Sequence, residues 1–148
     1  MSESHEVSSE KTYRAIGRFI FEFSQVEYTI RVYLAEELGL RDDYFRAVVQ
    51  SYDVTQLCKV AKEVFFKSRG DMNATAINNL ISKFMKLIEH RNSLAHGLWV
   101  PFEGGGTVHH VSRNNFKSND DANQAEILED LANQLSKLRG QLDQEFYI

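Results

Sequence analysis

The sequence predicts an all-α protein, a four-helix up-down bundle with a short β-hairpin inserted between the third and fourth long helices. Apolar residues recur at helical spacing through four long stretches, and this is the main signal for the class. The only proline is Pro101, and most glycines fall at the ends of those stretches, where they separate helices. Because 148 residues suffice for one hydrophobic core, we expect a single domain over residues 1–148.

The first predicted helix begins near Ser8 or Ser9, either of which can cap it, and ends at Gly39. Residues 1–7 are polar and acidic, and we expect them to be disordered. An apolar stripe at helical period runs along this helix, formed by Ile16, Phe19, Ile20, Phe23, Val26, Ile30, Tyr33, Leu34 and Leu38. A second apolar set lies off the stripe and consists of Phe21, Tyr28, Val32 and Ala35. This excess indicates either a partner subunit or an enclosed central helix.

The second predicted helix begins at Asp42 or Asp43 and ends near Gly70. Its apolar residues again recur at helical spacing, from Phe45 to Phe65. An alternative is a break over residues 51–53, where the sequence YDVT resembles a new helix cap. Both descriptions place a helix over the apolar run that precedes Gly70.

The third predicted helix follows Asp71 and ends at Gly97. Aromatic and β-branched residues then flank a glycine-rich turn, so residues 98–113 are predicted to form a β-hairpin or a long ordered loop. The fourth helix is predicted to begin near Asn119 or Asp120 and to run towards the C-terminus. Its leucines alternate in spacing between three and four, which favours shallow antiparallel packing, and they are Leu128, Leu131, Leu135, Leu138 and Leu142.

The composition argues against several classes of protein. The N-terminus lacks the basic and apolar regions of a signal peptide, and no apolar run reaches the roughly 20 residues of a membrane helix. The single cysteine, Cys58, cannot form an internal disulfide, which is typical of a reducing compartment. The net charge of −4 disfavours nonspecific coating of nucleic acid. We therefore expect a cytoplasmic protein without membrane association, in which any RNA contact is confined to a local cleft.

Signals for metals, nucleotide cofactors and nucleophilic catalysis are weak. His109 and His110 are neighbours on a predicted strand, so their side chains point to opposite faces and do not chelate one ion together. The sequence contains no CxxC pair, and the glycines at 104–106 lack the GK[ST] ending of a phosphate loop. Neither Cys58 nor Ser93 lies in a recognisable nucleophile motif. We expect no metal and no cofactor.

Three polar residues at the end of the third helix are the candidates for chemistry. The apolar period calls for a hydrophobic residue near position 91, yet the residue there is Arg91, and a buried guanidinium is costly unless it meets an anion or a wet cleft. His96 precedes Gly97 on the last turn, where the negative end of the helix dipole favours a protonated imidazole. Asn92 lies one turn before His96, near enough to bond the ring or a phosphate oxygen. Together these groups suit metal-free phosphodiester chemistry.

A structural interpretation of the same residues stays open. The stem of Arg91 can lie along the edge of the core, or its guanidinium can pair with Glu22, Glu27 or another acid. His96 can be a simple C-terminal cap. Arg91 and His96 are about 140° apart around an ideal helix, so they can border one cleft but do not stack on one face.

The run Arg91-Asn92-Ser93-Leu94-Ala95-His96 resembles the signature of the HEPN superfamily, an arginine, an adjacent polar residue and a histidine at the end of the third main helix of an α-helical bundle. The four long helices, the first-helix segment FSQVEYTIRVYL and the RN…AHG sequence are also similar to small HEPN proteins. The resemblance covers most of the chain as architecture, whereas its functional part is one short motif. Leu98 occupies the position at which some HEPN toxins carry a modified tyrosine, so that form of control is not expected.

The resemblance implies a homodimer in which the motif helices meet across the interface and form a cleft that cleaves RNA without metal. Arg91, Asn92 and His96 match the motif positions and are the expected catalytic residues. Such proteins are often toxins or defence ribonucleases, so an antitoxin-like protein partner is also expected. Other members keep the fold only as a dimerisation or binding module, and this non-catalytic role is the alternative.

Overall fold

The chain is described by a computed structural model that covers the backbone of residues 2–96, 98–102, 105–111, 116–119 and 124–147, and the side chains of residues 10–45, 47–95 and 124–147. The described chain is predominantly α-helical, which confirms the all-α prediction at that level. In this part of the chain, no helix has the length and apolar character needed to cross a membrane.

The described residues form six helices and three strands. In chain order these are α1 (Ser2–Glu37), α2 (Asp42–Val48), α3 (Val54–Ser68), α4 (Asp71–Met85), α5 (Ile88–His96), β1 (Leu98–Phe102), β2 (Gly105–Val111), β3 (Phe116–Asn119) and α6 (Gln124–Phe146). The second and third predicted helices are thus each divided in two, and three short strands occupy the segment before α6.

Helix α1 begins at Ser2, upstream of the predicted start at Ser8 or Ser9, and it includes residues 2–7, for which the sequence predicted disorder. The segment before Ser8 contains neither glycine nor proline, the two residues that most disfavour a helix. A helix that forms from Ser8 onwards can therefore extend towards the N-terminus through this segment. A polar composition therefore did not distinguish a helical end from a disordered one.

The end of α1 is a glycine-terminated helix cap, as the sequence predicted. Gly39 has a φ of +66°, the left-handed conformation that glycine adopts without a Cβ penalty. The Leu40 amide donates to the Ala35 carbonyl and the Gly39 amide to the Glu36 carbonyl, both at 3.0 Å. This pair of bonds is the Schellman motif, and it fixes the direction in which the chain leaves the helix.

Helices α2 and α3 are separated by a break that includes residues 51–53, the alternative that the sequence offered. The Asp53 carboxylate accepts a hydrogen bond from the Gln56 amide at 2.8 Å and so caps α3. The guanidinium of Arg31 donates to the carbonyl oxygens of Val49 at 2.7 Å and Tyr52 at 2.9 Å. These bonds supply donors to carbonyl groups at the break, where the regular helical hydrogen bonds are interrupted.

A second break separates α4 from α5 without glycine or proline. The Leu87 amide donates to the Phe84 carbonyl at 2.9 Å, so the turn tightens to a three-residue spacing. Lys86 keeps a right-handed helical conformation there, with φ −63° and ψ −22°. The residues from Ile88 onwards therefore form a separate short helix.

The strands form an antiparallel sheet of order β1-β2-β3. Leu98 is paired with His109 and Phe102 with Gly105, so β1 and β2 meet at the glycine-rich segment. On the other side of β2, His110 is paired with Lys117. This is the segment predicted as a hairpin or ordered loop. Because Asn119 ends β3, the prediction that the last helix begins at Asn119 is wrong, and Asp120 lies outside the described residues.

Contacts between residues divide the chain into two compact units. Unit 1 consists of Met1–Phe23 and Glu89–Gln134, and unit 2 of Ser24–Ile88 and Leu135–Ile148. The buried residues of unit 1 include Ala15, Phe19, Phe23, Leu128, Leu131 and Ala132. Those of unit 2 include Ile30, Leu34, Leu57, Phe65, Ile81, Phe84, Leu135, Leu138 and Leu142. The leucine spacing predicted for the last helix therefore marks buried positions throughout.

The second apolar set of the first helix is covered unevenly. Ala35 is buried and Val32 is half-buried, while 56% of Tyr28 and 57% of Phe21 are exposed. The ring of Tyr28 contacts Phe45 of α2 edge-on, with centroids 6.5 Å apart. A helix of the same chain therefore accounts for part of the apolar excess that the sequence analysis attributed to a partner or an enclosing core.

Candidate functional site

The candidate site lies on α5, a nine-residue helix that is only partly buried. Glu89, His90 and Asn92 are exposed, and Arg91, Ser93 and Leu94 are half-buried. Because the turn before Ile88 begins a new helix, the motif residues are held on a short element of their own. The helix ends at His96, which the sequence placed on the last turn.

Arg91 packs against the apolar stripe of α1. Its guanidinium carbon lies 5.4 Å from the ring centroid of Phe23, a buried residue of that stripe. This contact explains how an arginine occupies a position where the helical period calls for an apolar side chain, because the planar guanidinium stacks on aromatic faces. The stem is thereby held in place, and the charged group has a defined position.

The guanidinium of Arg91 has no ion pair with any carboxylate of the described residues. Its Nε atom is buried and, within the same part of the chain, has no hydrogen-bond partner. Glu27, one of the two acids considered as a partner, instead pairs with Arg31 at 3.2 Å. Of the structural alternatives left open for Arg91, pairing with an acid is therefore not observed among the described residues, and the cation has capacity for an anion.

Glu22, the other acid considered, also has an unsatisfied atom. Its Oε2 is buried and has no hydrogen-bond partner among the described residues. Both Glu22 and Arg91 belong to unit 1, as does Phe23, on which the guanidinium stacks. Buried polar atoms without partners are uncommon, so unit 1 has two groups with hydrogen-bonding capacity that its own described residues leave unused.

Asn92 and His96 accompany Arg91 on the same helix. The side chain of Asn92 is exposed, four residues before His96 and therefore on the same helical face. The backbone of His96 closes α5, whereas its side chain lies outside the described residues, together with Gly97. The three predicted site residues thus lie on one short helix. The Arg91 side chain is half-buried, and the Asn92 side chain is exposed.

The other nucleophile candidates are not activated. The Ser93 hydroxyl donates to the Glu89 carbonyl at 2.7 Å, the local bond that a serine makes within a helix. Burial, with a smaller contribution from the charge of Glu27, raises the pKa of the Cys58 thiol to about 12. A thiol with that pKa is neutral near pH 7, so it is not activated as a nucleophile there.

The remaining sequence signals lie mostly on residues whose side chains are outside the described part of the chain. His109 and His110 are successive residues of β2, opposite Ser118 and Lys117 respectively. No group of three His, Cys, Asp or Glu residues in the described part of the chain is arranged to hold a metal ion. Of the three glycines considered as a phosphate loop, Gly104 lies outside the described residues, and Gly105 and Gly106 belong to β2.

Sequence reasoning missed the role of Phe23 as the platform for Arg91. Phe23 was assigned to the core stripe, and it is indeed buried. Two sequence features could have indicated this contact. An arginine at an apolar position of one helix requires a surface to pack on, and aromatic residues are abundant on the first helix. No sequence pattern indicated the unsatisfied carboxylate oxygen of Glu22.

Comparisons with protein-family models, with curated proteins and with solved structures find no match to this chain. The motif and the geometry around Arg91 are therefore the grounds for assigning a function.

Proposed function

We propose that this chain is a metal-independent endoribonuclease of the HEPN type, on a four-helix up-down bundle formed by α1, α3, the α4–α5 pair and α6 with the β-hairpin inserted before α6. The observation that carries the proposal is the state of Arg91, half-buried and stacked on Phe23, with a buried Nε that no described residue satisfies. A fixed cation without an anionic partner is suited to a substrate phosphate. The exposed Asn92 and the terminal His96 supply the polar groups that the same chemistry needs.

The proposed reaction uses the nucleophile that RNA itself contains. His96 accepts the proton of the 2′-hydroxyl, whose oxygen attacks the adjacent phosphorus while the bond from phosphorus to the 5′-oxygen breaks. The leaving oxygen receives a proton, and the products end in a 2′,3′-cyclic phosphate and a 5′-hydroxyl. Arg91 neutralises the charge that develops on the phosphoryl oxygens, and Asn92 orients the phosphate or the imidazole.

The second acid-base group of this reaction is proposed to come from a second copy of the chain. A homodimer in which two α5 helices meet contains two copies of His96, one to accept and one to donate a proton. The large exposed side chains of α1 in unit 1 support a protein interface, since Tyr13 and Phe21 are both more than half exposed. The homodimer is part of the proposal and is tested with it below.

The second candidate function is a non-catalytic dimerisation or binding module. One observation favours it: the contact between Arg91 and Phe23 gives the arginine a packing role that needs no substrate. In this interpretation His96 only ends the helix. The two candidates differ in what happens when Arg91 is replaced by an apolar residue.

The proposed chemistry predicts cleavage of RNA but not of DNA. We expect the purified chain, with chelator present, to cut mixed RNA into fragments that end in 2′,3′-cyclic phosphate and 5′-hydroxyl groups. A DNA strand of matched sequence stays intact because it lacks the attacking hydroxyl. Mass spectrometry of the fragment ends checks this result. Fragments that carry 5′-phosphates, or cleavage of the DNA strand, would rule out the mechanism.

The same assay tests the dimer. If the site needs two copies, the specific activity falls when the protein is diluted below the dissociation constant of the dimer, measured by sedimentation. A specific activity that is independent of concentration across that range contradicts the composite site and leaves the single-chain chemistry to be judged by its products.

A further inference from the structure

Unit 2 contains a pocket whose lining includes none of the candidate ribonuclease residues and that no step of the proposed reaction uses. Its volume is about 330 Å³, and it is lined by Tyr28, Val32, Ala35, Glu36, Leu40, Asp42 and Phe45. All of these residues belong to Ser24–Ile88, so the pocket lies within one unit. A volume of this size matches the lower end of small-molecule sites in proteins.

The turn of the backbone from α1 into α2 preforms the pocket. The Schellman motif at Gly39 ends α1 and turns the chain into α2, which places Leu40 and Asp42 beside the last turns of α1. Hydrogen bonds of the backbone, not flexible side chains, hold this turn. The cavity therefore does not have to be created by a ligand, which lowers the cost of binding.

Two aromatic rings and an apolar floor form its walls. The Tyr28 and Phe45 rings are inclined at 68° with centroids 6.5 Å apart, which is an edge-to-face corner. Val32 and Ala35 lie on the same side of α1 as Tyr28, at helical spacing. An aromatic corner over aliphatic groups offers favourable contact to an apolar body and to a cation placed over a ring face.

The charged residues that line the pocket are both acidic. Glu36 and Asp42 line it, both are exposed, and neither has an ion pair among the described side chains. The neighbouring Arg41 is engaged elsewhere, 3.8 Å from Asp43 and 5.2 Å from the centre of the Tyr44 ring. An anionic ligand such as a phosphate is therefore repelled, while a cation finds two carboxylates.

We propose that this pocket binds a small organic ammonium ion with an apolar body, of the quaternary ammonium class. The aromatic corner and the aliphatic floor accept the methyl groups, and Glu36 and Asp42 neutralise the charge. A hydrated metal ion leaves the rings and the floor unused, and a neutral hydrocarbon leaves both carboxylates without a partner. Only a ligand that is both cationic and apolar uses every wall of the pocket.

The test is a titration of the full chain with choline at constant ionic strength, followed by amide chemical shifts. We expect saturable binding with shifts at the residues from Tyr28 to Phe45, and binding of the neutral carbon isostere dimethylbutanol that is weaker by about tenfold or more. A peptide that contains trimethyllysine is titrated in a parallel experiment. Tighter binding of choline assigns a free small molecule, and tighter binding of the peptide assigns a modified lysine, each of which supports the shared ammonium chemistry.

Variants distinguish recognition of the ammonium charge in the pocket from nonspecific association of choline with the protein. Glu36→Gln and Phe45→Leu are each expected to weaken choline binding about three- to tenfold, with unchanged helical circular dichroism. Glu63→Gln, which removes an exposed carboxylate outside the pocket lining, is expected to bind choline as the wild type does. Equal binding of choline and dimethylbutanol, binding that Glu36→Gln leaves unchanged, or no saturable binding of either ammonium probe overturns the proposal. None of these results bears on RNA cleavage.

Discussion

Replacing Arg91 with leucine is expected to reduce RNA cleavage at least about 100-fold, the usual loss when one preorganised charge donor is removed from a transition state. The same change is expected to leave the free energy of unfolding unchanged or to raise it by up to about 1 kcal/mol. Leucine fits the apolar period at position 91 and packs on Phe23 without an unsatisfied Nε. Activity is therefore expected to fall while the free energy of unfolding is kept or increased.

This pair of measurements distinguishes the two candidate functions. A purely structural cation predicts that Arg91→Leu and the wild type give the same result on RNA, because its packing on Phe23 serves no substrate. A substrate-binding cation predicts a stable, inactive protein. The measurements are the initial rate on mixed RNA and urea unfolding followed by circular dichroism.

The matched control is Arg14→Leu, which removes an exposed arginine from the same unit. We expect this variant to cleave RNA at close to the wild-type rate, because its charge is outside the motif. If Arg14→Leu and Arg91→Leu lose activity equally, general electrostatic attraction and not a specific site explains the effect, and the role assigned to Arg91 is wrong.

The second large effect is expected on stability, at Arg69. Its guanidinium donates to both carboxylate oxygens of Glu37 at 3.1 to 3.2 Å and to the Asn73 amide oxygen at 2.8 Å, and it stacks 4.3 Å from the centre of the Phe146 ring. The two charged side chains are only 18% and 12% exposed. Arg69→Ala leaves the Glu37 carboxylate largely buried without its main partner. We expect a loss of about 2–4 kcal/mol in the free energy of unfolding.

The pH dependence of that loss follows from Glu37. Burial acts to raise the pKa of its carboxyl group, but the hydrogen bonds from Arg69 and Ser68 and the charge of Arg69 outweigh burial and hold the pKa below its ordinary value of 4.5. A carboxyl whose pKa is lower in the folded state contributes stability above the ordinary value, and this contribution is lost as the pH falls through the folded value. The difference in the free energy of unfolding between wild type and Arg69→Ala is therefore largest at neutral pH and decreases as the pH falls below 4.5.

Urea unfolding at neutral and at acidic pH checks this prediction. Arg41→Ala is the control, because Arg41 is an exposed arginine whose pair with Asp43 spans 3.8 Å. We expect this control to stay within about 0.5 kcal/mol of wild type, as is usual for exposed ion pairs. A loss at Arg69→Ala no larger than at Arg41→Ala would show that the buried network does not stabilise the fold.

Elements with local signals could be predicted from the sequence. Gly39 ends the first helix because only a residue without a Cβ adopts its φ of +66° at no cost, and glycines are readable in sequence. Asp53 caps α3, and the sequence YDVT indicated that alternative. Arg91 was noticed because it interrupts an apolar period, which is also a local property.

Features that depend on tertiary contacts could not be predicted in the same way. The break before Ile88 has no glycine or proline, and a three-residue turn at Leu87 produces it. The carboxylate of Glu22 was considered as a partner for Arg91, but whether two side chains meet depends on packing between helices that periodicity does not describe. The ammonium pocket likewise combines α1 and α2 through the turn between them.

The central claim is that His96 performs proton transfer in a site that needs no metal. Its most direct test compares the wild type with His96→Ala on mixed RNA in excess chelator, with both proteins prepared identically and checked for equal helical content. We predict that the wild type produces fragments and that His96→Ala is slower by about 100-fold or more. Equal cutting by the two proteins, or no cutting by the wild type on any RNA tried, would contradict the account.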